Sequence, residues 1–291
     1  MTMVVVSRGV RSGLEAAVRF LMPALFIILV ILVGYAMNTG AFMDGLRFLF
    51  APDFGKLSGA SVLTAMGHAF FTLSLGMGAI MIYGSYMPGY ASIAKTSVII
   101  SLADTLVALM AGMAIFPVVF ANGLEPGSGP GLIFQTLPLA FGHMPGGTFF
   151  GVLFFVLLVF AAWSSAISLI EPAVTWLVEN HGFTRVSACV WSGLTTWLLG
   201  LGTIFSFNVW EGAKLFGKTF FDLLDFLTAN IMLPLGGLFI AIFAGWVMTR
   251  RDSQEELAMA TVLYGAWRFL VRYVTPLAVV VVFLNAIGVI G

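Results

Sequence analysis

The sequence predicts an all-α protein that crosses a membrane about seven times. Its mean hydropathy is +1.06, and only 9% of its 291 residues are charged, whereas about a quarter of the residues in a soluble domain are charged. Several uncharged stretches also exceed the roughly 20 apolar residues that a helix needs to cross a bilayer. The predicted spans are residues 17–37, 61–87, 93–121, 147–178, 184–204, 220–248 and 264–288.

Charge and cysteine content exclude several classes of function. Thirteen Lys and Arg residues balance thirteen Asp and Glu residues, so no basic excess is present to bind nucleic acid. The single cysteine, Cys189, excludes an internal disulfide, and the three histidines lie too far apart for a zinc motif. No nucleophile, base and orienting acid converge at the end of any span, so we do not expect an enzyme.

The distribution of basic residues predicts the orientation of the spans. Nine of the thirteen fall on one side of the predicted membrane, and basic residues are retained in the cytoplasm during insertion. We therefore expect a cytoplasmic N-terminus and, after seven crossings, a C-terminus outside. The nine residues are Arg8, Arg11, Arg19, Lys95, Arg185, Arg250, Arg251, Arg268 and Arg272.

The second predicted span, residues 61–87, carries two glycines near its midpoint, Gly76 and Gly78. Each weakens a helix by about 1 kcal/mol relative to alanine, and freed backbone is tolerated at mid-membrane only beside a polar cavity. Interrupted spans of this kind bind ions and substrates in secondary transporters. The alternative is a close-packed interface of small residues between helices.

The third span, residues 93–121, carries a carboxyl group about a dozen residues from its start, Asp104. A charge at that depth costs ~2.5 to 3.5 kcal/mol on insertion scales. No Lys or Arg lies at comparable depth in the neighbouring spans, so a bound cation or proton is the natural partner. The alternatives are a protonated, hydrogen-bonded acid and an acid paired with a helix outside this chain.

The fourth span follows an outer loop rich in proline and glycine, residues 122–147, which we expect to be a functional lid or a passive loop packed on the helix ends. Within the span, Ser164 and Ser165 offer two hydroxyl groups, and hard cations prefer oxygen ligands. Serines that only bond back to a helix carbonyl are the commoner case. Further along, Glu171 and Pro172 predict a kink.

Two aspartates, Asp222 and Asp225, open the sixth span. Carboxylates near a helix N-terminus are stabilised by the helix dipole. The functional alternative is a gate, in which one of them pairs with a cationic residue.

Five segments resemble the neurotransmitter:sodium symporter family, in its bacterial branch. They are FFTLSLGMGAIMIYGSY, ADTLVALMAGMAIFP, GLEPGSGPGLIFQTLP, FAAWSSAISLIEP and DLLDFLTANIMLPLGG. The resemblance implies import of an amino acid or a related amine with sodium, through two inverted five-helix repeats with sites at the midplane. It also implies a multi-pass protein of the bacterial inner membrane.

The resemblance also implies how the chain is organised. Residues 1–60 match the end of the family's helix four, helix five and an outer loop. Residues 61–249 match the second five-helix repeat, and residues 250–291 an inner loop and a last helix. The expectation is a C-terminal fragment, inactive alone, without the first interrupted helix. The alternative is a half-transporter that works with a separate N-terminal chain.

The family's functional residues carry over by position. Thr72 and Asp104 would contribute to one sodium site, and Ala161, Ser164 and Ser165 to a second, each site being completed by the first helix. The resemblance assigns the substrate pocket to Phe71, Ser74, Met77 and Leu169, and the gates to Asp225 outside and to Glu179 and Tyr86 inside. In chloride-dependent relatives a hydroxyl-bearing residue stands where this chain has Ala108, so chloride is expected to be unnecessary.

Two other classes compete with a transporter. A seven-span receptor or structural membrane subunit would fit the number of spans, but the glycine pair and Asp104 argue against it. An inert or regulatory fragment would fit the family and lack the activity. Which amino acid is carried and the oligomeric state are not predicted.

Overall fold

The computed structural model describes residues 1–127 and 129–289, with the side chains of Val10 and Arg11 excluded. One residue of the predicted outer loop, Ser128, lies outside the described part, as do the last two residues of the chain. The described residues form helices and connections without a β-strand. Six helices are long and apolar enough to cross a membrane: Ser12–Ala36, Ile93–Ala121, Gly147–His181, Arg185–Phe205, Phe220–Val247 and Thr261–Ala286.

These six agree with six of the predicted spans to within a few residues, and the all-α membrane fold is confirmed. The remaining predicted span, residues 61–87, consists of two shorter helices. The α-helices are α1 (Thr2–Ser7), α2 (Ala16–Ala36), α3 (Phe42–Phe50), α4 (Gly59–Thr72), α5 (Ala79–Ser85), α6 (Ile93–Ala121), α7 (Gly129–Gly131), α8 (Leu137–His143), α9 (Gly147–His181), α10 (Arg185–Phe205), α11 (Phe220–Asp225), α12 (Leu233–Ile242), α13 (Arg250–Leu257), α14 (Thr261–Phe269) and α15 (Thr275–Ala286).

Short π-helical turns extend or join several of these helices. Phe226–Met232 joins α11 to α12, Phe243–Val247 extends α12, and Leu270–Val274 joins α14 to α15. Hydroxyl-bearing residues start four helices because their side chains accept hydrogen bonds from the first turn. These N-caps are Ser58 for α4, Thr184 for α10, Thr219 for α11 and Thr249 for α13.

The chain divides into two compact units. The first comprises Met1–Lys56 and Leu102–Ser168, and the second comprises Leu57–Ser101 and Leu169–Gly291. The division made from the sequence, at residues 60 and 249, stays a prediction.

The first unit is built around a continuous apolar core that α2, α6, α8 and α9 share. Tyr35 anchors the outer loop to this core: its ring stacks on that of Phe150 at 3.8 Å, and its hydroxyl donates to the Pro145 carbonyl at 3.2 Å. In α8, Leu137 and Ala140 are fully buried. Much of the predicted outer loop is therefore folded and packed within this unit.

The second unit holds the interrupted span and the C-terminal helices. The helix α4 packs against α12 and α15, and α12 packs along α15. In this unit, the hydroxyl of Ser206 accepts a hydrogen bond from the backbone N–H of Phe221 at 2.9 Å and joins α10 to α11. The first half of the interrupted span, α4, is therefore held by two C-terminal helices.

Candidate functional site

One helix ends and another begins in the middle of the predicted span of residues 61–87. The helix α4 ends at Thr72, and α5 begins at Ala79. The N–H of Ser74 donates to the carbonyl of Phe71 at 3.1 Å, and the N–H of Leu75 donates to that of Phe70 at 2.9 Å. This pair of bonds is the Schellman motif, whose C′ residue is left-handed. Ser74 occupies that position with φ +53°, where glycine is the usual residue.

Two glycines continue the interruption because both adopt left-handed backbone angles. Gly76 has φ +81° and Gly78 has φ +80°. Gly76 also lies directly against the start of α12: a Cβ on it would clash with the Leu233 carbonyl and lie 2.8 Å from the Gly237 nitrogen. The structure thus contains the interruption that the glycines predict, and one glycine also makes the close backbone contact of the alternative interpretation.

The interruption leaves several peptide oxygens outside a helical ladder. The backbone carbonyl groups of residues 73–77 accept no backbone hydrogen bond from a described residue. Carbonyl oxygens inside a membrane need a polar partner, and a bound alkali or alkaline-earth cation is such a partner. Among the described residues, no group of three or more His, Cys, Asp or Glu side chains could hold a metal ion.

The predicted substrate-pocket residues all belong to the second unit. Phe71 is the penultimate residue of α4 and its side chain is exposed, and Leu169 of α9 is also exposed. Ser74 and Met77 lie in the interruption and are half-buried. Their assignment to a substrate pocket stays a prediction.

The predicted sodium ligands fall in both units. Thr72 is the last residue of α4, in the second unit, and Asp104 is half-buried in α6, in the first. In α9 the hydroxyl of buried Ser164 donates to the Ala161 carbonyl at 2.9 Å. Ser165, the next residue, is exposed. Ser164 therefore makes the back-bonding contact considered as the alternative.

A buried carboxylate connects α5, α9 and α10 in the second unit. Glu171 is fully buried, and Arg185 Nη2 donates to its two carboxylate oxygens at 2.7 and 2.8 Å. Tyr86, which follows α5, donates its hydroxyl to Glu171 Oε1 at 3.1 Å, and Thr175 donates to the same oxygen at 3.4 Å. Because the carboxylate is surrounded by four donor contacts, this arrangement fixes the end of α5 on α9. We call Tyr86, Glu171, Thr175 and Arg185 the inner polar cluster.

This cluster contains one of the two residues that the resemblance assigns to an inner gate. That assignment names Tyr86 and Glu179, and it stays a prediction. In the structure, Tyr86 contacts Glu171, whose arginine partner is Arg185 of this chain, and Glu179 is exposed on the last turns of α9. Two features of the sequence could have indicated this ion pair: Glu171 is an acid within an apolar span, and Arg185 begins the next span.

The two aspartates of the sixth span have different roles. Asp222 forms a capping box with Thr219, whose hydroxyl donates to the carboxylate at 2.8 Å while accepting from the Asp222 N–H at 3.2 Å. This is the structural alternative that the sequence left open. Asp225 is exposed and makes no ion pair with a described residue.

Comparison with known proteins places these features in a family. Residues 1–290 match the model of the sodium:neurotransmitter symporter family. The sodium-dependent transporter YhdH of Bacillus subtilis is 37% identical over 295 residues, which cover 100% of this chain and 65% of that protein. A sodium-dependent transporter of Haemophilus influenzae is 35% identical, over 97% of this chain and 62% of its own length.

A solved structure matches as well. The structure of MhsT in complex with L-phenylalanine superposes with a TM-score of 0.88 at 39% identity, over 98% of this chain and 65% of that protein. The chain thus spans somewhat less than two thirds of the length of these relatives. It belongs to the sodium:neurotransmitter symporter family, whose members are transporters rather than enzymes.

Proposed function

We propose that this chain carries the C-terminal part of a sodium-coupled amino-acid symporter and supplies one half of its ion and substrate sites. The observation that supports this most directly is the interruption at residues 73–78. It offers five peptide carbonyls that accept no backbone hydrogen bond from a described residue, in the middle of an apolar span, and such oxygens favour a small hard cation and a zwitterionic substrate.

The proposed substrate is an amino acid, with sodium as the co-transported ion. MhsT binds L-phenylalanine in its solved structure, and the two left-handed glycines beside Ser74 leave peptide groups that suit an amino or carboxylate group. Phe71, Ser74, Met77 and Leu169 would line this pocket. Met77 is an adaptable side chain and suits more than one substrate shape.

Two sodium ions would be held by oxygens that the chain offers on three helices. Thr72 and Asp104 would contribute to the first site. Ala161, Ser164 and Ser165 would contribute to the second, where the exposed hydroxyl of Ser165 and the Ala161 carbonyl are the proposed ligands. Each site would be completed by the interrupted helix of a first repeat.

Coupling requires that sodium and substrate bind one state of the transporter better than the other, because a ligand of equal affinity for both states shifts nothing. The inner polar cluster suits an inner gate because it ties the end of α5 to α9 and α10. We infer that it holds the inward path closed and that Tyr86 separates from Glu171 when the path opens. Two further acids would pair with arginines of the first repeat. They are Glu179, near the C-terminal end of α9, and Asp225, at the outer end of the sixth span.

The proposed location is a bacterial inner membrane with the N-terminus in the cytoplasm and the C-terminus outside. The basic residues described above support this orientation. In it, the inner polar cluster faces the cytoplasm and Asp225 faces the exterior.

The test is sodium-dependent binding of labelled L-phenylalanine. The chain is purified alone and together with the polypeptide of the Bacillus subtilis relative that precedes the matched region. We expect binding in sodium and not in potassium, for the combined sample only. Binding by the chain alone favours a self-sufficient unit, and equal binding in sodium and potassium contradicts the proposed function.

The contribution of Asp104 is tested in the combined sample by two substitutions. Asp104→Ala should raise the sodium concentration for half-maximal binding about tenfold, because a charge-assisted ligand is lost. Asp104→Asn, which keeps an oxygen, should raise it less. Asp53→Ala removes a carboxylate from an exposed pair with Lys56 and serves as the control. An unchanged response in Asp104→Ala removes this residue from the ion site.

Chloride independence is tested by replacing chloride with gluconate. Ala108 offers no hydroxyl for an anion, and the Asp104 carboxylate can itself balance the sodium charge. We expect sodium-dependent binding to be unchanged. A strong loss on replacement contradicts this part of the proposal.

A further inference from the structure

Three arginines converge on one pocket at the connection between the last two spans. The pocket has a volume of about 370 Å³. Its lining residues are Arg250, Tyr264, Gly265, Arg268, Phe269, Arg272 and Tyr273. None of them is acidic, so three positive charges share this space without a lining carboxylate.

The side chains around the pocket are held by neutral groups. Arg268 Nη1 donates to Ser253 Oγ at 3.1 Å and to the Tyr264 hydroxyl at 3.0 Å. The guanidinium of Arg272 lies 4.2 Å from the centre of the Trp246 ring. Within the described part of the chain, Arg250, Arg268 and Arg272 make no ion pair.

One donor near the pocket is buried without a partner. Arg272 Nε has no hydrogen-bond acceptor among the described residues, although a buried polar atom normally has one. The acids nearest in sequence, Asp252, Glu255 and Glu256, are exposed on α13, and Glu255 pairs with Arg251. Although this Nε is itself shielded, the three arginines that line the pocket bring positive charge without an acidic lining residue, and an anion would balance that charge.

The helix that carries two of these arginines also carries an apolar stripe beside them. Phe269, Tyr273 and Leu277 follow at intervals of four residues and are 58%, 50% and 67% exposed. They therefore lie on one helix face and lead from the pocket along the span for about 12 Å. A soluble anion would use the arginines and leave this stripe bare, whereas a lipid would cover both.

We propose that this pocket binds the phosphate group of an anionic phospholipid, with one acyl chain along Phe269, Tyr273 and Leu277. Arginine suits phosphate because its planar guanidinium donates two parallel hydrogen bonds. Basic pockets at the cytoplasmic ends of transmembrane helices bind lipid headgroups in this way. The site is separate from the proposed transport site and does not depend on transport.

The test is lipid retention by the purified, delipidated chain in neutral detergent. Equimolar phosphatidylglycerol and phosphatidylcholine with identical acyl chains are added, and bound lipid is counted by native mass spectrometry. We expect at least about fivefold preference for phosphatidylglycerol, the factor expected for one basic residue near an anionic group. Equal retention of the two lipids overturns the proposal.

Substitutions locate the site. The double variant Arg250→Ala with Arg268→Gln should abolish most of the preference for phosphatidylglycerol. The control is Arg251→Ala with Arg19→Gln, which removes the same amount of charge from two exposed ion pairs. The control should keep the preference. Equal losses in the two double variants overturn the proposal. If Arg268→Gln disturbs folding, Arg250→Ala alone carries the test, because its guanidinium makes no hydrogen bond or ion pair with a described residue.

A final arm separates a lipid from a soluble anion. Short-chain dihexanoyl phosphatidylglycerol and inorganic phosphate compete for the retained lipid. The lipid assignment requires the short-chain lipid to compete at lower concentration than phosphate. Equal competition assigns the pocket to a soluble phosphate and overturns the proposal.

Discussion

Two apolar segments that contain helix-breaking residues behave differently: one remains a continuous helix and the other is interrupted. The helix α9 carries Pro172 in its interior and remains helical from Gly147 to His181. Residues 61–87 carry Gly76 and Gly78 and divide into α4 and α5. Proline removes one N–H, and the ladder continues on both sides of it. Left-handed residues instead turn the chain out of the helix, and Ser74, Gly76 and Gly78 all have positive φ.

The same two segments also differ in how their hydroxyl and carbonyl oxygens are hydrogen-bonded. In α9 the hydroxyls of Ser164 and Ser168 donate to carbonyls one turn back, at 2.9 and 3.0 Å. In residues 73–77 the carbonyls accept no backbone hydrogen bond from the described chain. The interruption therefore leaves peptide oxygens outside the helical ladder, whereas the hydroxyls of the continuous helix bond back to its own carbonyls.

The largest effect is expected for Gly76→Ala. The substitution places a Cβ at φ +81° and against the Leu233 carbonyl. Backbone strain of about 1 to 3 kcal/mol and overpacking of about 1 to 3 kcal/mol should together lower the free energy of unfolding by about 4 kcal/mol. Thermal unfolding of the purified chain in detergent measures it.

The matched control is Gly84→Ala in α5, where an added Cβ meets no atom within 4 Å. That change should stabilise the chain by about 0.5 to 1 kcal/mol through helix propensity. Equal stability of the two variants would show that Gly76 is not held against α12, and the contrast with α9 would lose its basis.

The next largest effect is expected for Glu171→Gln, which tests how α9 holds α5. The change removes the carboxylate that pairs with Arg185, and the side chain of Arg185 is only 26% exposed. Breaking a buried ion pair costs about 3 to 5 kcal/mol, and partial exposure of Arg185 places this pair near the lower value. Unfolding in detergent should show the loss.

Two further variants separate charge from packing. Glu255→Gln breaks an exposed pair with Arg251 and should cost less than about 0.5 kcal/mol. Glu171→Gln combined with Arg185→Gln removes both charges and should recover part of the loss. A double variant that is less stable than Glu171→Gln alone would indicate that packing, not charge pairing, dominates the inner polar cluster.

Much of the fold can be predicted from the sequence, because a helix that crosses a bilayer needs about 20 mostly apolar residues with few charges. Six helices lie close to the predicted spans, and α6 has the predicted bounds of residues 93–121. The two glycines predict the interruption, and both adopt a positive φ there, which glycine tolerates better than other residues. The sequence does not predict left-handed Ser74, because its conformation is imposed by the hydrogen bonds that end α4.

The inner polar cluster was harder to predict. Arg185 and Tyr86 are 14 and 85 residues from Glu171, and their contact depends on how α10 and α5 are offset along α9. In the sequence, Glu171 and Pro172 together predict only a kink, and Arg185 indicates only orientation. A sequence pattern gives the helical face of each residue and not the offset between helices.

A smaller effect is expected at Ser74, where stability and binding should separate. Ser74→Gly relieves a left-handed non-glycine residue and should stabilise the chain by about 1 kcal/mol. Ser74→Ala keeps the strained angle and should change stability by less than about 0.5 kcal/mol. Both variants lose the hydroxyl, so both should bind labelled amino acid more weakly if Ser74 lines the pocket. Unchanged binding by both removes its side chain from the pocket.

The smallest effect on stability is expected for Ser165→Ala in α9. Its hydroxyl is exposed on a continuous helix, so the free energy of unfolding should change by less than about 0.5 kcal/mol. If the hydroxyl binds the second sodium ion, the sodium concentration for half-maximal binding should nevertheless rise. Ser97→Ala in α6, which removes a hydroxyl bonded to the Ile93 carbonyl, is the control and should leave the sodium response unchanged. An unchanged response in Ser165→Ala would remove this hydroxyl from the second ion site and leave the Ala161 carbonyl as the ligand that α9 offers there.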